Sequence, residues 1–266
     1  MPSFPDASAD TEATADAAAA DAAAARSAIR RRSGALSTVL VLFGELLITG
    51  GVLLALFVGY SLWWTDLVAD RHADAVAAKV RQSWSAPPTV RPGSDAKPVP
   101  PRPFKVGDGI GFLHIPRLGK GFQVLITMGT STAVLNQGVA GVYQEPYAAA
   151  MPWAASGNFA MAAHRDGHGA KFHDLPKLRP GDKVVVETRD TWYVYTVDRT
   201  LQQTSKYDVD VTAPVPAESG YRGPGRYLTL TTCTPEYTSL YRMAVWASLT
   251  RTEPVDAARS LPPELR

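Results

Sequence analysis

Tyr227-Leu-Thr-Leu-Thr-Thr-Cys-Thr-Pro235 and, nine residues on from its cysteine, Arg242-Met-Ala-Val-Trp-Ala-Ser-Leu249 decide the reading of this chain. Both stretches alternate as strands do, since successive side chains of a strand point to opposite faces. In the first, Leu228 and Leu230 share one face, and Tyr227, Thr229, Thr231 and Cys233 share the other. In the second, Met243, Val245, Ala247 and Leu249 make an apolar face opposite Arg242, Ala244, Trp246 and Ser248. If the apolar faces build the core, Cys233 and Arg242 both look into an outer groove. A core cysteine would sit with the leucines, so the pattern argues for an accessible thiol. Cys233 is the only cysteine among the 266 residues, so no intramolecular disulfide competes for it.

A thiol becomes a nucleophile as the thiolate, and a nearby imidazole or guanidinium raises the thiolate population. His72, His114, His164, His168 and His173 are the available imidazoles. His164 ends the apolar run Asn158-Phe-Ala-Met-Ala-Ala-His-Arg165, where a rigid strand presents a catalytic group. His72 lies in a helical segment, His114 in a first strand, and His168 and His173 in loop or helix-start positions. Arg242 would bind a substrate carbonyl or stabilise an oxyanion. The alternative for Arg242 is a solvated strand arginine. No metal set is expected, because the acidic residues are scattered; His164-Arg-Asp-Gly-His168 lacks the glutamate and the helix of a zinc motif.

From Gly34 to Thr65 the only charged residue is Glu45. This run exceeds the ~20 apolar residues that cross a bilayer. It is too long, and begins too far in, for a cleaved signal peptide. Arg26, Arg30, Arg31 and Arg32 precede it; Asp66 and Asp70 follow it. Positive charge marks the cytoplasmic side, which predicts a single-pass membrane protein with its N-terminus inside and its larger part outside. Tyr60, Trp63 and Trp64 fall at the outer interface. The net charge of +2 implies no nucleic-acid partner.

Five segments follow. Residues 1–33 are an Ala- and Asp-rich cytoplasmic tail, too poor in large apolar side chains to build a core and expected to be disordered. Residues 34–64 are the transmembrane helix, and 65–103 an extracellular stalk: a helix over Leu67 to Trp84, then a spacer with Pro87, Pro88, Pro92, Pro98, Pro100, Pro101 and Pro103. At ~3.1 Å per residue such a spacer could hold the next domain on the order of 50 Å away. Residues 104–252 are the catalytic domain and 253–266 a C-terminal tail. Strands are expected at Gly111–Ile115, Phe122–Ile126, Asn158–Ala163, Lys183–Thr188, Trp192–Thr200, Tyr227–Thr232 and Arg242–Thr250, with a short helix over Phe172–Leu178. Short strands with Gly, Pro and Asp punctuation predict a mainly β fold, a closed barrel or a sandwich.

The Thr-Leu-Thr-Thr-Cys run of 229–233, with Arg242 downstream and Ala163-His164-Arg165 upstream, resembles the sortase family of membrane-bound cysteine transpeptidases. Gly111-Phe-Leu-His-Ile-Pro-Arg-Leu-Gly119 is similar to that family's first strand, and Leu178-Arg-Pro-Gly-Asp182 to a later loop. Sortases commonly have glycine where Ala163 stands. The strings Cys233-Thr-Pro235, Gly44-Glu-Leu-Leu-Ile-Thr49 and Leu62-Trp-Trp-Thr65 are most similar to the actinobacterial class E group. The resemblance implies a closed sortase-type barrel with short helices, and a reaction without a cofactor. Cys233 would attack the Thr–Gly carbonyl of a C-terminal sorting signal on a secreted protein. His164 would act as acid and then base, with Arg242 holding the substrate. An amine of the peptidoglycan cross-bridge or its precursor would resolve the thioacyl enzyme. Class E implies a Leu-Ala-x-Thr-Gly signal whose alanine is read by a tyrosine before the histidine strand. Tyr143 and Tyr147 are the candidates, and Thr232 is a third substrate-binding residue.

Three other readings share these residues: a membrane-anchored cysteine hydrolase, a sortase that polymerises pilins, and a non-catalytic exported binding module. The accessible thiol beside an imidazole and an arginine speaks against the last.

Overall fold

Val184 and Val186 of the Lys183–Glu187 strand enter the central apolar cluster, while Val185 packs on the other side with Trp192 and Val194. A strand covered on both faces reads as a continuous apolar run rather than an alternating one, as Val-Val-Val does here. The same holds around much of this sheet. The computed structural model describes residues 21, 38–60, 64–85, 103–256 and 258–266, so the expectations for the cytoplasmic tail and the proline spacer fall outside the described residues.

The strands are β1 (Gly109–His114), β2 (Gln123–Met128), β3 (Ala140–Val142), β4 (Gly157–Ala162), β5 (Lys183–Glu187), β6 (Thr191–Ser205), β7 (Arg226–Thr234) and β8 (Tyr241–Pro254). They close into a barrel in the order β1-β2-β3-β4-β7-β8-β6-β5. The β2–β3 and β4–β7 pairs are parallel; the other pairs are antiparallel. Closure leaves no open edge. Inside lie Leu113, Ile126, Phe159, Met161, Tyr195, Leu228, Leu230, Met243 and Val245, each at most 1% exposed. The apolar faces expected of the two opening stretches do form this core.

Three satellite clusters cover the barrel's outer wall. The helix Thr65–Ser85, here α2 because it follows the apolar helix α1 (Thr38–Gly59), buries Ala73 and Val80 against Phe112, Leu125, Val134 and Val139. Its Trp84 ring meets Phe112 edge-on at 5.4 Å. Val211 covers Ala244 and Trp246 of β8, whose indole Nε1 donates to Val211 O at 2.9 Å. Val255 and Leu265 cover Val185, Trp192 and Val194.

Two expectations change here. The helix expected as half of a stalk is docked on the barrel, and Tyr60–Arg266 form one compact unit. The 253–266 stretch is likewise no free tail, since Arg259 and Leu265 both pack on the barrel.

Glu187 ties these outer pieces together. Its carboxylate is buried (1% exposed) and accepts from Arg81 of α2 at 2.7 and 2.8 Å, His114 of β1 at 3.0 Å and Arg259 at 2.7 Å. Burial alone would raise its pKa; the hydrogen bonds from His114, Arg81 and Arg259 outweigh it and hold the group at about 2.

The expected helix over Phe172–Leu178 is reduced to a 3-10 turn at Leu175–Lys177, with Pro176 inside it. β3 and the four-residue helix α3 (Thr132–Leu135) have no counterpart among the expected elements. β3 needs Gly141: a Cβ there would stand 2.2 Å from Gly129 O.

α1 spans 22 residues with mean hydropathy 2.4. At 1.5 Å per residue it is about 33 Å long, enough for a ~30 Å hydrocarbon layer. It fits a single-pass anchor.

Candidate active site

Two strand pairings bring the chemistry together from three distant parts of the sequence. β7 lies antiparallel to β8, and Cys233 is directly opposite Arg242 in the register. β7 lies parallel to β4, with Thr231 opposite Ala162. The ladder continues one residue past β4, where Ala163 N donates to Thr231 O at 3.3 Å and Thr232 Oγ1 donates to Ala163 O at 2.9 Å. His164 is the next residue. The barrel order β4-β7-β8 thus sets His164 to one side of Cys233 and Arg242 to the other.

Cys233 and Arg242 are partly exposed at the barrel's rim. The outer face of β8 is otherwise not open, since Trp246 is covered by the Val211 segment. The expected outer groove is therefore confined to the rim. There Cys233, Arg242, Tyr143, Leu135, Thr130 and the 231–232 pair line a cleft of about 140 Å³. Arg242 is aimed by its own loop: Nη1 donates to Ser239 O at 3.2 Å and Tyr241 O at 3.0 Å.

Tyr143 is the tyrosine in this cleft. Its hydroxyl pairs with Thr231 Oγ1 at 2.9 Å. Burial raises its pKa, with the Thr231 bond and the Arg242 charge opposing, so it is a neutral hydroxyl at pH 7. Tyr147 is not among the lining residues; its hydroxyl donates to Asp210 Oδ1 at 2.9 Å. Thr232 also lines the cleft, but it is 2% exposed and its hydroxyl is committed to Ala163 O. That geometry joins β4 to β7.

His164 lines a second, wider depression of about 550 Å³ that also holds Asp166, His168, Tyr237 and Ser239. Burial lowers its pKa and the neighbouring His168 lowers it further, against a smaller opposing effect of Asp166. The imidazole is thus largely neutral at pH 7. The His164 and His168 rings lie 5.4 Å apart, centroid to centroid.

The loop after His164 is bound to the strand that carries the thiol. Arg165 Nη1 donates to Thr234 Oγ1 at 3.0 Å and approaches Cys233 O at 3.4 Å. Asp166 Oδ2 accepts from Tyr237 N at 2.7 Å, and His173 Nδ1 is 3.1 Å from Arg165 O. Asp166, His173 and Glu236 cluster within 4.8 Å, and their bonds tie the His164 loop to the β7–β8 loop.

Sequence reasoning missed one neighbour of His164. Nε2 lies 2.8 Å from Asn136 Oδ1. Nothing in the sequence marks a lone asparagine after a four-residue helix.

A thiol and a guanidinium facing each other in a rim cleft, with an imidazole on the strand to the thiol's other side, can form and resolve a thioester. The sequence profile of the sortase domain matches residues 113–250. The chain belongs to the sortase family. Sortase SrtE2 of Streptomyces coelicolor is 51% identical over 239 residues, covering 89% of this chain and 92% of the relative. Sortase SrtE1 of the same species is 44% identical over 84% of this chain, which spans 61% of that longer relative. Among solved structures, sortase E1 of Streptomyces coelicolor with a tripeptide in its active site superposes with a TM-score of 0.56 at 46% identity, over 59% of this chain and 96% of that one. Sortase E of Streptomyces avermitilis does so with a TM-score of 0.55 at 42% identity, over 61% of this chain and 100% of that one. This sortase falls in the actinobacterial class E group and is a cysteine transpeptidase by family. Sortases act on substrates that carry a sorting signal.

Proposed function

We propose that this sortase cleaves a Leu-Ala-x-Thr-Gly-like signal between Thr and Gly and passes the acyl group to a cell-wall amine, with Cys233, His164 and Arg242 as its catalytic residues. The observation that carries this reading is the facing pair Cys233 and Arg242 in a rim cleft. Its clients are secreted proteins with C-terminal signals, and its acceptor is a peptidoglycan precursor or cross-bridge amine.

The steps follow from the residues. His164, largely neutral, takes the thiol proton as Cys233 Sγ attacks the threonine carbonyl carbon. The carbonyl oxygen becomes an oxyanion, and the Arg242 guanidinium is the cation beside it. When the C–N bond breaks, the His164 imidazolium returns its proton to the departing glycine amine. A thioester remains on Cys233. The acceptor amine attacks it, gives a proton to His164, and expels the thiolate as the new amide forms. Arg242 serves both tetrahedral stages because each places negative charge on the same oxygen. Tyr143 lies in the cleft beside Thr231 and is the tyrosine assigned to the alanine of the signal; Tyr147, bonded to Asp210, is not.

The test is a Leu-Ala-x-Thr-Gly peptide with and without an added amine, analysed by mass. Transfer product in the presence of amine, lost in Cys233→Ala, is the expected result. Water-only hydrolysis at an unchanged rate would overturn the transpeptidase reading. Tyr143→Ala should lower kcat/KM for this peptide on the order of tenfold, and Tyr147→Ala should leave it within about twofold. The reverse ranking would move the assignment to Tyr147.

α1 anchors the enzyme, with residues 1–33 cytoplasmic and the catalytic unit outside, on the strength of the arginine flank. Protease added to intact protoplasts should remove the catalytic unit; its protection would refute this orientation.

A further inference from the structure

Asn136 is a side-chain neighbour of His164. Its Oδ1 is 2.8 Å from His164 Nε2. An amide oxygen can only accept, so in this pair Nε2 carries a hydrogen and donates it. A neutral imidazole has one protonated nitrogen, and Nδ1 is then the bare one.

We propose that Asn136 is a positioning residue that holds His164 in its Nε2–H tautomer, leaving Nδ1 as the nitrogen that exchanges protons with Cys233 and the leaving amine. The inference rests on the reading of His164 as the acid–base group.

Three further observations carry it. First, Asn136 is fixed by its own backbone, as the C-cap of α3 with its N–H bonded to Thr132 O at 2.9 Å. Second, the segment it begins is pressed against α2. Gly138 has a left-handed backbone (φ 71°), and a Cβ there would meet Ala69 O at 3.2 Å. Asn136 and Ala69 line the same small cavity. Third, the His164 loop is bound to the same helix: Gly169 N donates to Asp66 Oδ1 at 2.8 Å, and Lys171 Nζ to Asp70 Oδ1 at 2.7 Å. Donor and acceptor are thus both held against α2, which sets the distance between them from two sides.

The choice of an amide matters chemically. The charged groups that act on the imidazole are His168 and Asp166 on its own loop; Tyr237 of the β7–β8 loop lines the same depression, Cys233 is the thiol it serves, and Asp66 of α2 is committed to Gly169 N. A carboxylate at 136 would orient the ring equally well, but its charge would stabilise the imidazolium. A neutral amide orients the ring and leaves it a base near neutral pH.

The experiment uses the full chain, labelled with ¹⁵N-histidine in detergent micelles, with the His164 signals identified by their loss in His164→Gln. Neutral His164 should show a pyridine-type Nδ1 and a pyrrole-type Nε2. Asn136→Ala should give a mixture of tautomers and lower kcat/KM for the peptide on the order of 10- to 100-fold, the scale of a misplaced catalytic group. Asn136→Asp should keep the tautomer and move the His164 titration midpoint, and the matching limb of the kcat/KM profile, up by about one pH unit or more. A pyridine-type Nε2 in the unsubstituted protein overturns the inference without any variant, so a misfolded Asn136→Ala protein does not protect it. So does an Asn136→Asp protein whose tautomer and midpoint match the parent. If His164→Gln retains peptide transfer, the acid–base reading fails instead, whatever the tautomer.

Discussion

Arg242 and Cys233 meet only because two strands pair at that position; eight residues of loop and strand end separate them along the chain. The guanidinium can give two directed hydrogen bonds, and a lysine ammonium cannot reproduce that fork. Losing one donor to a developing oxyanion typically costs on the order of 100-fold or more. Arg242→Lys should therefore slow peptide acylation by about that factor while Cys233 still reacts normally with iodoacetamide. If both rates fall together, Arg242 tunes the thiol rather than the substrate's oxygen. Thr232 illustrates a different residue-scale point. It stands next to Cys233 in the chain, yet alternation turns it inward with Leu228 and Leu230, where its hydroxyl serves Ala163.

At the scale of elements, α2 is the piece most easily misjudged from sequence. Its buried face is Ala69, Ala73 and Val80, each at most 9% exposed. Two of the three are alanines, in a helix rich in alanine throughout, so no wide apolar stripe announces a docking face. What fastens it is polar and long-range: Arg81 makes two bonds to Glu187, 106 positions away. Arg81→Ala should leave Glu187 with His114 and Arg259 only. We expect a loss of about 2 kcal/mol, seen as a fall of roughly 4–8 °C in the unfolding midpoint of the detergent-solubilised chain. An unchanged midpoint would mean the helix is held by its apolar contacts alone. The strands, by contrast, were legible. All seven expected runs are strands, because their apolar residues run or alternate over five or more positions and are bounded by turn residues. β3 escaped because three residues, Ala-Gly-Val, are too few to show a period. The histidine and thiol strands could be recognised separately, but the parallel β4–β7 pairing that joins them is a long-range contact no local pattern encodes. The same is true of Asn136 beside His164.

Across the whole molecule, Glu187 links α2, β1 and the C-terminal segment, so its ionisation should set the acid limit of the fold. A carboxyl whose folded pKa is depressed stabilises above its unfolded value, and that stabilisation is lost as pH falls through the folded value. With an ordinary value of 4.5 lowered to about 2, the loss should fall between about pH 4.5 and 2 and amount to about 3 kcal/mol. Denaturant titrations across that range should show it, and Glu187→Gln should flatten the dependence. A Gln variant with the parent's acid profile would assign the acid limit to other groups.

The central claim is that acyl transfer runs through a thioester on Cys233. Full-length protein mixed with a Leu-Ala-x-Thr-Gly peptide, quenched in acid and digested, should carry the mass of the peptide through its threonine on the fragment containing Cys233. An added amine should discharge that adduct into transfer product. Cleavage of the peptide by the Cys233→Ala protein, or an adduct on any other residue, would contradict the account.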